Sequence, residues 1–311
     1  MQKLVVAQNL RKDFGSKTAV ANVSFDVRAG EVFGLLGPNG AGKTTTIRML
    51  LNIFQPDAGK ISVLGGSLTR EKSDRIGYMP EERGLYPNMR VLNCLVYLGT
   101  LKGMKRREAR ARAEHYLERL GLADQAKTKI DALSRGMTQK VQVIAAVLHD
   151  PDLLIIDEPF ANLDPINAQL VREIILEMRD AGKAVIMTSH LMSLVEALCD
   201  RIALIHHGEV VLLGTVADVR RQFARNVVRI SGSGRLDENL DGVTYVEQLT
   251  ASEWQLFVEP DFPPQDVVSQ LVQTADFTLD RFEVDMPSLD EVFVQVVKGD
   301  AVESAVVTSE C

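Results

Sequence analysis

Cysteine is scarce in this sequence. Three residues, Cys94, Cys199 and Cys311, occur among 311, an odd number without C-x-x-C spacing. This pattern argues against a disulfide framework or a cysteine zinc site, and it indicates a reducing, cytoplasmic setting. Long apolar runs are lacking as well, because no stretch approaches the roughly 18–20 residues that span a bilayer. The start, MQKLVVAQNL, lacks the apolar core of a signal peptide, so we expect a chain that does not cross a membrane by itself.

Positive charge is not in excess, since 35 Lys and Arg residues stand against 42 Asp and Glu, a net charge of −7. Residues 1–225 carry a net +6, whereas residues 226–299 carry −10. This change predicts a domain boundary near Arg225. The basic excess is too diffuse to indicate nucleic acid, and we expect no nucleic-acid partner. The basic stretch Lys102–Leu120 fits a solvated helix face or, alternatively, a docking face for an anionic surface.

Up to about residue 220, apolar stretches typical of strands alternate with amphipathic stretches typical of helices. This alternation predicts a parallel α/β sheet in a domain over residues 1–220. After Arg225, short alternating strands and two helices predict a small α+β domain over residues 226–299, followed by a flexible tail over 300–311. The predicted elements of the first domain include strands Lys3–Phe14, Thr18–Gly30, Glu31–Leu36 and Pro151–Asp157, a helix Lys43–Phe54, mostly helical structure from about Val91 to Leu148, and a hairpin turning at Gly208.

The stretch GPNGAGKT fits the pattern G-x-x-x-x-G-K-[ST] and lies between a predicted buried strand and a predicted helix. Its glycines allow backbone N–H groups to wrap phosphate oxygens, Lys43 supplies positive charge to the β- and γ-phosphates, and the Thr44 hydroxyl can bind Mg²⁺. The sequence therefore predicts a nucleotide phosphate site built from Gly37, Pro38, Asn39, Gly40, Ala41, Gly42, Lys43, Thr44 and Thr45.

Two acids follow another buried strand in LLIIDEP. Asp157 ends the strand, where it can hold Mg²⁺ through water, and Glu158 comes next, where it can activate an attacking water. His190 ends the next strand, and parallel pairing brings that end to the edge of the phosphate loop, so a γ-phosphate contact is expected. Asp164 follows the acids in ANLDP, in a position to bridge to a second subunit.

The stretch LSRGMTQK has the form of a helix start. Ser134 can act as N-cap, and Gly136 lets a ligand approach the exposed backbone N–H groups. A helix N-terminus of this kind can hold an anion. The chain therefore has a second phosphate-holding element, distant in sequence from the phosphate loop.

The ordered set GPNGAGKT, LSRGMTQK, LLIIDEP, ANLDP and TSH resembles the nucleotide-binding subunit of ATP-binding-cassette (ABC) transporters, over most of residues 1–220. The resemblance implies an α/β P-loop NTPase fold with a parallel sheet core, an antiparallel β subdomain and a helical subdomain over about residues 85–150, followed here by the small α+β domain. In that family two subunits pair head to tail, and the signature helix of one closes over ATP held by the other. Ser134, Gly136 and Asp164 would then serve the ATP site shared with a second copy.

Further residues are assigned by the same resemblance. Phe14 matches the aromatic residue that stacks on adenine, and Ile76–Met89 matches the loop that joins the subdomains and faces the membrane partner. Glu81 stands where most family members have Gln, and Arg135 replaces a Gly of the signature. Glu81 can still reach Mg²⁺ or water, but it adds negative charge that Arg135 would partly offset.

The variants PEERGLYP and LSRGMTQK, with the ending MPSLDEVFVQVV, are similar to the exporter branch that includes sodium-efflux ATPases. This implies an ATPase that uses ATP and Mg²⁺, pairs as a homodimer at the cytoplasmic face of the membrane, and powers a separate permease exporting sodium, a drug or a similar substrate. The alternative is a soluble cassette ATPase acting on ribosomes or DNA, which usually has a second cassette or long coiled coils. A GTPase or small-molecule kinase would leave LSRGMTQK unexplained, and the N-K-x-D guanine motif is missing.

Overall fold

The computed structural model describes residues 2–81, 84–224, 227–236, 240–259, 262–273 and 276–299. The chain divides into two compact units, Met1–Val216 and Ala217–Cys311. No helix within these described ranges is long and apolar enough to cross a membrane.

A nine-stranded mixed sheet organises the first unit. Its strands in chain order are β1 (Lys3–Phe14), β2 (Lys17–Arg28), β3 (Val32–Leu36), β4 (Ala58–Val63), β5 (Ile76–Met79), β6 (Leu153–Asp157), β7 (Ala184–Thr188), β8 (Arg201–His206) and β9 (Glu209–Thr215). The order across the sheet is β4-β1-β2-β9-β8-β3-β7-β6-β5. Strands β3, β5, β6, β7 and β8 are parallel, whereas β1, β2 and β4 pair antiparallel. The predicted parallel core and antiparallel subdomain are thus confirmed.

Burial explains why the central strands are so apolar. All five residues of β3, of β6 and of β7 are buried, which is expected for parallel strands covered on both faces. The helices of this unit are α1 (Lys43–Leu50), α2 (Arg70–Asp74), α3 (Val91–Leu101), α4 (Arg106–Arg119), α5 (Arg135–Val147), α6 (Pro165–Asp180) and α7 (Met192–Leu198), with short 3₁₀ turns at Ala123–Gln125 and Ile130–Ala132.

Most of the basic stretch Lys102–Leu120 forms α4 (Arg106–Arg119), which buries a single stripe. Its buried residues, Ala109, Ala113 and Leu117, recur every four positions, and most of its charged side chains are exposed. This arrangement is that of a solvated helix face.

The second unit has its own core. Its elements are α8 (Val216–Gln222, which begins at the last residue of the first unit), β10 (Val227–Gly234), β11 (Val243–Thr250), β12 (Glu253–Val258), α9 (Pro264–Gln273), β13 (Phe277–Val284) and α10 (Leu289–Lys298). The four strands form an antiparallel sheet in the order β11-β12-β10-β13. Trp254 and Leu256 on the sheet share a buried cluster with Val267 and Leu271 of α9. The predicted α+β composition is confirmed.

Several predicted bounds differ from the structure. Helix α1 ends at Leu50 rather than Phe54, and Asn52 just beyond it has a left-handed φ of 58°. The predicted loop Ile76–Met89 begins with strand β5. Glu82 and Arg83 of that loop, the boundary residue Arg225 and the tail 300–311 lie outside the described residues.

Candidate active site

The phosphate loop connects β3 to α1, and two of its glycines are required by close contacts. Gly37 has φ +146°, and a Cβ there would lie 2.2 Å from the carbonyl oxygen of Ile205. Gly42 has φ +111°, and a Cβ there would lie 2.6 Å from the carbonyl oxygen of Ala19. Only glycine fits either position, because both the backbone conformation and the space exclude a side chain. The loop thus keeps a fixed, narrow course around a space that can hold phosphate.

Lys43 folds back over this loop. Its Nζ donates hydrogen bonds to the carbonyl oxygens of Gly37 at 2.7 Å and Pro38 at 3.1 Å. Burial lowers the pKa of Lys43, while the carboxylates of Glu158, Asp157 and Glu81 act to raise it. The ammonium group therefore lies in an environment where an additional anion would be stabilised.

Asp157 ends β6 and is held by the neighbouring strand β7. The Thr188 hydroxyl donates a hydrogen bond to Oδ1 of Asp157, and the two residues are paired in the sheet. The other carboxylate oxygen, Oδ2, is buried and has no hydrogen-bond partner among the described residues. A buried charged oxygen in this state lacks compensation and is suited to receive a cation or a water bound to one.

Glu158 follows with an unusual main chain, at φ +50°. Its N–H donates to the Thr188 hydroxyl at 3.1 Å, and its carbonyl oxygen accepts from Nε2 of Gln139 at 2.7 Å. Its carboxylate Oε1 lies 3.4 Å from Nε2 of His190. Burial raises the pKa of Glu158, and the neighbouring His190 acts in the opposite direction. An acid whose environment favours the protonated form is a candidate proton acceptor.

The adjacent strands β3, β7, β6 and β5 bring these groups together. Their carboxyl ends lie at one edge of the sheet, and the phosphate loop, His190, the two acids and Glu81 follow them in that order. They line a single cavity of ≈ 390 Å³, together with residues at the start of β2. The lining residues are Lys17, Ala19, Asn39, Gly40, Gly42, Lys43, Thr44, Thr45, Glu81, Asp157, Glu158 and His190.

Three residues of the phosphate loop that were predicted to bind nucleotide, Gly37, Pro38 and Ala41, are not among the described residues lining the cavity, but each contacts a loop residue that lines it or lies next to one that does. Gly37 and Pro38 supply the carbonyl oxygens that bind Lys43. Ala41 is buried; its N–H donates to the Pro38 carbonyl at 3.2 Å, and its own carbonyl accepts from Gly208 N–H at 3.0 Å.

Phe14 lies at the end of β1, paired with Lys17, which lines the cavity. Its ring is 45% exposed and packs edge-on against Phe54, with ring centroids 5.3 Å apart. Nζ of Lys12 lies over the ring, 5.6 Å from its centroid. Phe14 is outside the set of described residues that line the cavity.

Ser134, Gly136 and Asp164, which were predicted to bind nucleotide, do not line this cavity in the part of the chain that the structure describes. Ser134 caps α5, with its hydroxyl accepting from Met137 N–H at 3.3 Å. Asp164 caps α6, accepting from the N–H groups of Ile166 and Asn167 at 3.0 Å each. Gly136 lies against the carbonyl oxygen of Asn162, which a Cβ would approach to 2.8 Å. Among the described residues lining the cavity of the same chain, Ser134, Gly136 and Asp164 are all missing.

The sequence patterns did not single out Thr188 or Gln139. Both act on the acids through contacts between residues distant in sequence. Thr188 had one available signal, since it is the polar residue that ends an apolar strand beside the strand of Asp157. Gln139 had none, because its contact depends on how α5 packs.

A phosphate loop followed by α1, with acids and a histidine at the same edge of a parallel sheet, defines a P-loop nucleotide hydrolase. Comparisons with known proteins agree. Residues 20–161 match the family described as "ABC transporter", and residues 214–297 match "ATP-binding protein DrrA1-3-like, C-terminal domain".

The chain is 38% identical over 296 residues to the ABC transporter ATP-binding protein YhaQ of Bacillus subtilis, covering 94% of this chain and 98% of that protein. It is 38% identical over 229 residues to the Nod factor export ATP-binding protein I of Burkholderia lata, covering 72% and 75%. A solved ATP-binding subunit of an ABC transporter superposes with a TM-score of 0.67 at 32% identity, covering 71% of this chain and 93% of the other.

The chain therefore belongs to the ATP-binding proteins of ABC transporters. The resemblance seen in the sequence is confirmed, as is the activity that it implied: this is an ATP-binding and ATP-hydrolysing subunit of a membrane transporter. Subunits of this kind act with membrane permeases.

Proposed function

We propose that the chain powers an exporter as a homodimer at the cytoplasmic face of the cell membrane, with residues 1–220 as the ATPase domain and residues 226–299 as an accessory domain. The observation that carries the proposal is the convergence of the phosphate loop, Asp157, Glu158 and His190 on one cavity. ATP binding closes the dimer, and hydrolysis reopens it.

Within the cavity each residue has a distinct role. The loop N–H groups and Lys43 bind the β- and γ-phosphates, where negative charge accumulates during transfer. Glu158 accepts the proton of the attacking water, a contribution of roughly 10²–10⁴-fold in rate. His190, 3.4 Å from Glu158, contacts the γ-phosphate and keeps the acid aligned. Phe14 stacks on the adenine.

Mg²⁺ fits the oxygen groups at this edge of the sheet. Asp157 presents a buried oxygen without a hydrogen-bond partner among the described residues, and Thr44 and Glu81 line the same cavity. No three His, Cys, Asp or Glu side chains in the described ranges form a cation cage on their own. Mg²⁺ commonly binds through one or two protein oxygens plus substrate phosphates. Once bound, it neutralises charge on the phosphates.

A second copy of the chain completes the site. Ser134 and Gly136 start a helix whose N–H groups suit a phosphate, but they are not part of the cavity described for their own chain. A head-to-tail pair would place this helix start over the partner's ATP, with Asp164 near the contact. The pair has two identical sites, each built from both chains.

The permease docks near Glu81–Arg90. Just after this loop, Tyr97 and Leu101 of α3 are 42% and 55% exposed, and the ring of Tyr97 packs edge-on against the 45%-exposed Tyr86. Exposed aromatic and aliphatic side chains that adjoin one another mark an interaction surface. The similarity to a Nod factor export protein favours export over import. The substrate is sodium, a drug or a similar molecule chosen by the permease.

Co-purification tests this function. The full chain carrying Glu158→Gln and an affinity tag is extracted from membranes gently with ATP and Mg²⁺, and its partners are identified by mass spectrometry. We expect a stoichiometric polytopic membrane protein, retained less well when Lys43→Ala is used instead. Recovery only from the soluble fraction, together with ribosomes or nucleic acid, would favour the alternative of a soluble cassette ATPase.

A further inference from the structure

The main chain of Glu158 has a conformation that must be held in place. Its φ of +50° lies in the left-handed region, which side chains other than Asn, Asp and His rarely adopt. Such a conformation persists only where surrounding contacts enforce it. The direction of the Glu158 carboxylate depends on this conformation, because the side chain leaves from the same Cα.

Three hydrogen bonds hold the two peptide groups of Glu158, one of them a main-chain bond from the N–H of Ala161 to the Glu158 carbonyl oxygen at 3.2 Å. The N–H donates to the Thr188 hydroxyl from within the sheet, and the carbonyl oxygen accepts from Nε2 of Gln139 at 2.7 Å. Gln139 is 8% exposed and belongs to α5, the helix that starts at Ser134. A side-chain amide in this environment supplies a donor that water cannot easily replace.

Helix α5 contacts the segment after Glu158 at two further points. Gly136 packs against the carbonyl oxygen of Asn162, with room for no Cβ. Nζ of Lys140 donates to Oδ1 of Asn167 at 2.9 Å, and the N–H of Asn167 donates to Asp164. The helix and the segment Glu158–Asn167 therefore share a set of fixed contacts, of which the Gln139 bond is the one at the acid itself.

We propose that Gln139 is a positioning residue that holds the main chain of Glu158 in its left-handed conformation and so aims the carboxylate into the cavity. The proposal rests on the role of Glu158 proposed above. Gln139 lies outside the described lining of the cavity, so its effect is on the hydrolytic step and not on nucleotide binding. The helix whose first turn faces the partner's ATP then also orients the acid of its own chain.

The test compares two substitutions in the purified full chain. Gln139→Leu keeps most of the volume but removes the donor, whereas Gln139→His keeps an N–H donor near the end of the side chain. We expect Gln139→Leu to lower kcat roughly tenfold, because a small displacement of a catalytic group is costly. The KM for ATP and the Kd of a fluorescent ATP analogue should change less than about twofold, because Gln139 is not among the described residues that line the cavity in which the nucleotide binds. Gln139→His should restore most of kcat.

A role in packing alone makes the opposite prediction, because packing does not require an N–H donor at this position and Leu would then be tolerated at least as well as His. Equal kcat values for Gln139→Leu and the unchanged chain, or a lower kcat for Gln139→His than for Gln139→Leu, would overturn the proposal. Gln142→Leu serves as the matched control, since Gln142 is also buried on α5, and it should leave kcat unchanged. Thermal unfolding of all variants identifies any that fail to fold.

Glu158→Gln separates this inference from the proposed function. If that variant retains normal turnover, the assignment of Glu158 as proton acceptor is wrong, whatever Gln139 does. If Glu158→Gln abolishes turnover while Gln139→Leu does not reduce it, only the positioning role fails.

Discussion

The hydroxyl of Thr188 donates a hydrogen bond to the Asp157 carboxylate across the pairing of β7 with β6. The same oxygen accepts the N–H of Glu158 at 3.1 Å. Thr188 is completely buried. One side chain thus orients both acids and leaves the second oxygen of Asp157 directed away from this bond.

Thr188→Val tests that arrangement. The substitution preserves shape but removes the hydroxyl, so Asp157 loses the donor that fixes its orientation. Loss of such an outer contact typically weakens metal binding roughly 10- to 100-fold, so we expect a corresponding rise in the Mg²⁺ concentration that half-saturates ATPase activity. The unpaired N–H of Glu158 should also lower the free energy of unfolding by about 1–3 kcal/mol. Thr188→Ser is the control, and an unaltered Mg²⁺ titration for Thr188→Val would contradict the role.

The phosphate loop and the acids were predictable because each is defined by a short contiguous pattern beside an apolar strand. Strand β5 was not predicted, since its four residues precede Pro80 and a polar segment that reads as a loop. The roles of Thr188 and Gln139 were not predicted, for a different reason. Their partners are 30 and 19 residues away in sequence, so only the packing of β7 and α5 against the acids shows their roles.

His149 gives a pH-dependent contribution to stability in the first unit. Burial, with the nearby charge of Lys102, lowers its pKa to about 4, while Nε2 lies 3.1 Å from the carbonyl oxygen of Ile76. The unfolded chain, with an ordinary histidine pKa of about 6.5, binds the proton more readily over this range. Stability should therefore fall as pH drops from about 6.5 to about 4, by up to about 3 kcal/mol.

The measurement is thermal or denaturant unfolding of the unchanged chain and of His149→Gln over that pH range. The amide introduced by His149→Gln can still donate to the Ile76 carbonyl, but it does not titrate, so the variant should show a flatter dependence on pH. His115→Gln, at an exposed position, is the control and should follow the unchanged chain. Parallel curves for His149→Gln and the unchanged chain would rule out this source of acid sensitivity.

Glu81 and Arg135 should act in opposite directions on the ATP site. Glu81 lines the cavity, and its negative charge acts to raise the pKa of Lys43. Arg135 is exposed on the first turn of α5, which faces the partner's nucleotide in the proposed dimer. We expect Arg135→Gly to weaken ATP-driven dimerisation about two- to fivefold, and Glu81→Gln to strengthen it by a similar factor, as for single exposed charge contacts.

Light scattering with ATP, in chains that also carry Glu158→Gln, measures dimerisation. Mg²⁺ titrations of ATPase activity, in chains without Glu158→Gln, measure the effect of the two charges on Mg²⁺ dependence and on turnover. The double variant, Glu81→Gln with Arg135→Gly, should resemble the starting chain in dimerisation. If Glu81→Gln changes neither the Mg²⁺ dependence nor the ATPase rate, the two charges do not offset each other.

Mixing two inactive variants tests whether each ATP site is built from two chains. Ser134→Arg damages the start of α5 but keeps the phosphate loop, whereas Lys43→Ala does the reverse. Each variant alone should have little ATPase activity. In an equal mixture, random pairing makes about half of the dimers mixed, and each mixed dimer has one complete site of two, so about a quarter of normal activity should return. As the control, Ser134→Arg is mixed with a chain carrying both substitutions; no complete site can form, and no activity should return. A site contained within one chain predicts instead that the two mixtures are equally inactive, because no chain in either has both elements intact.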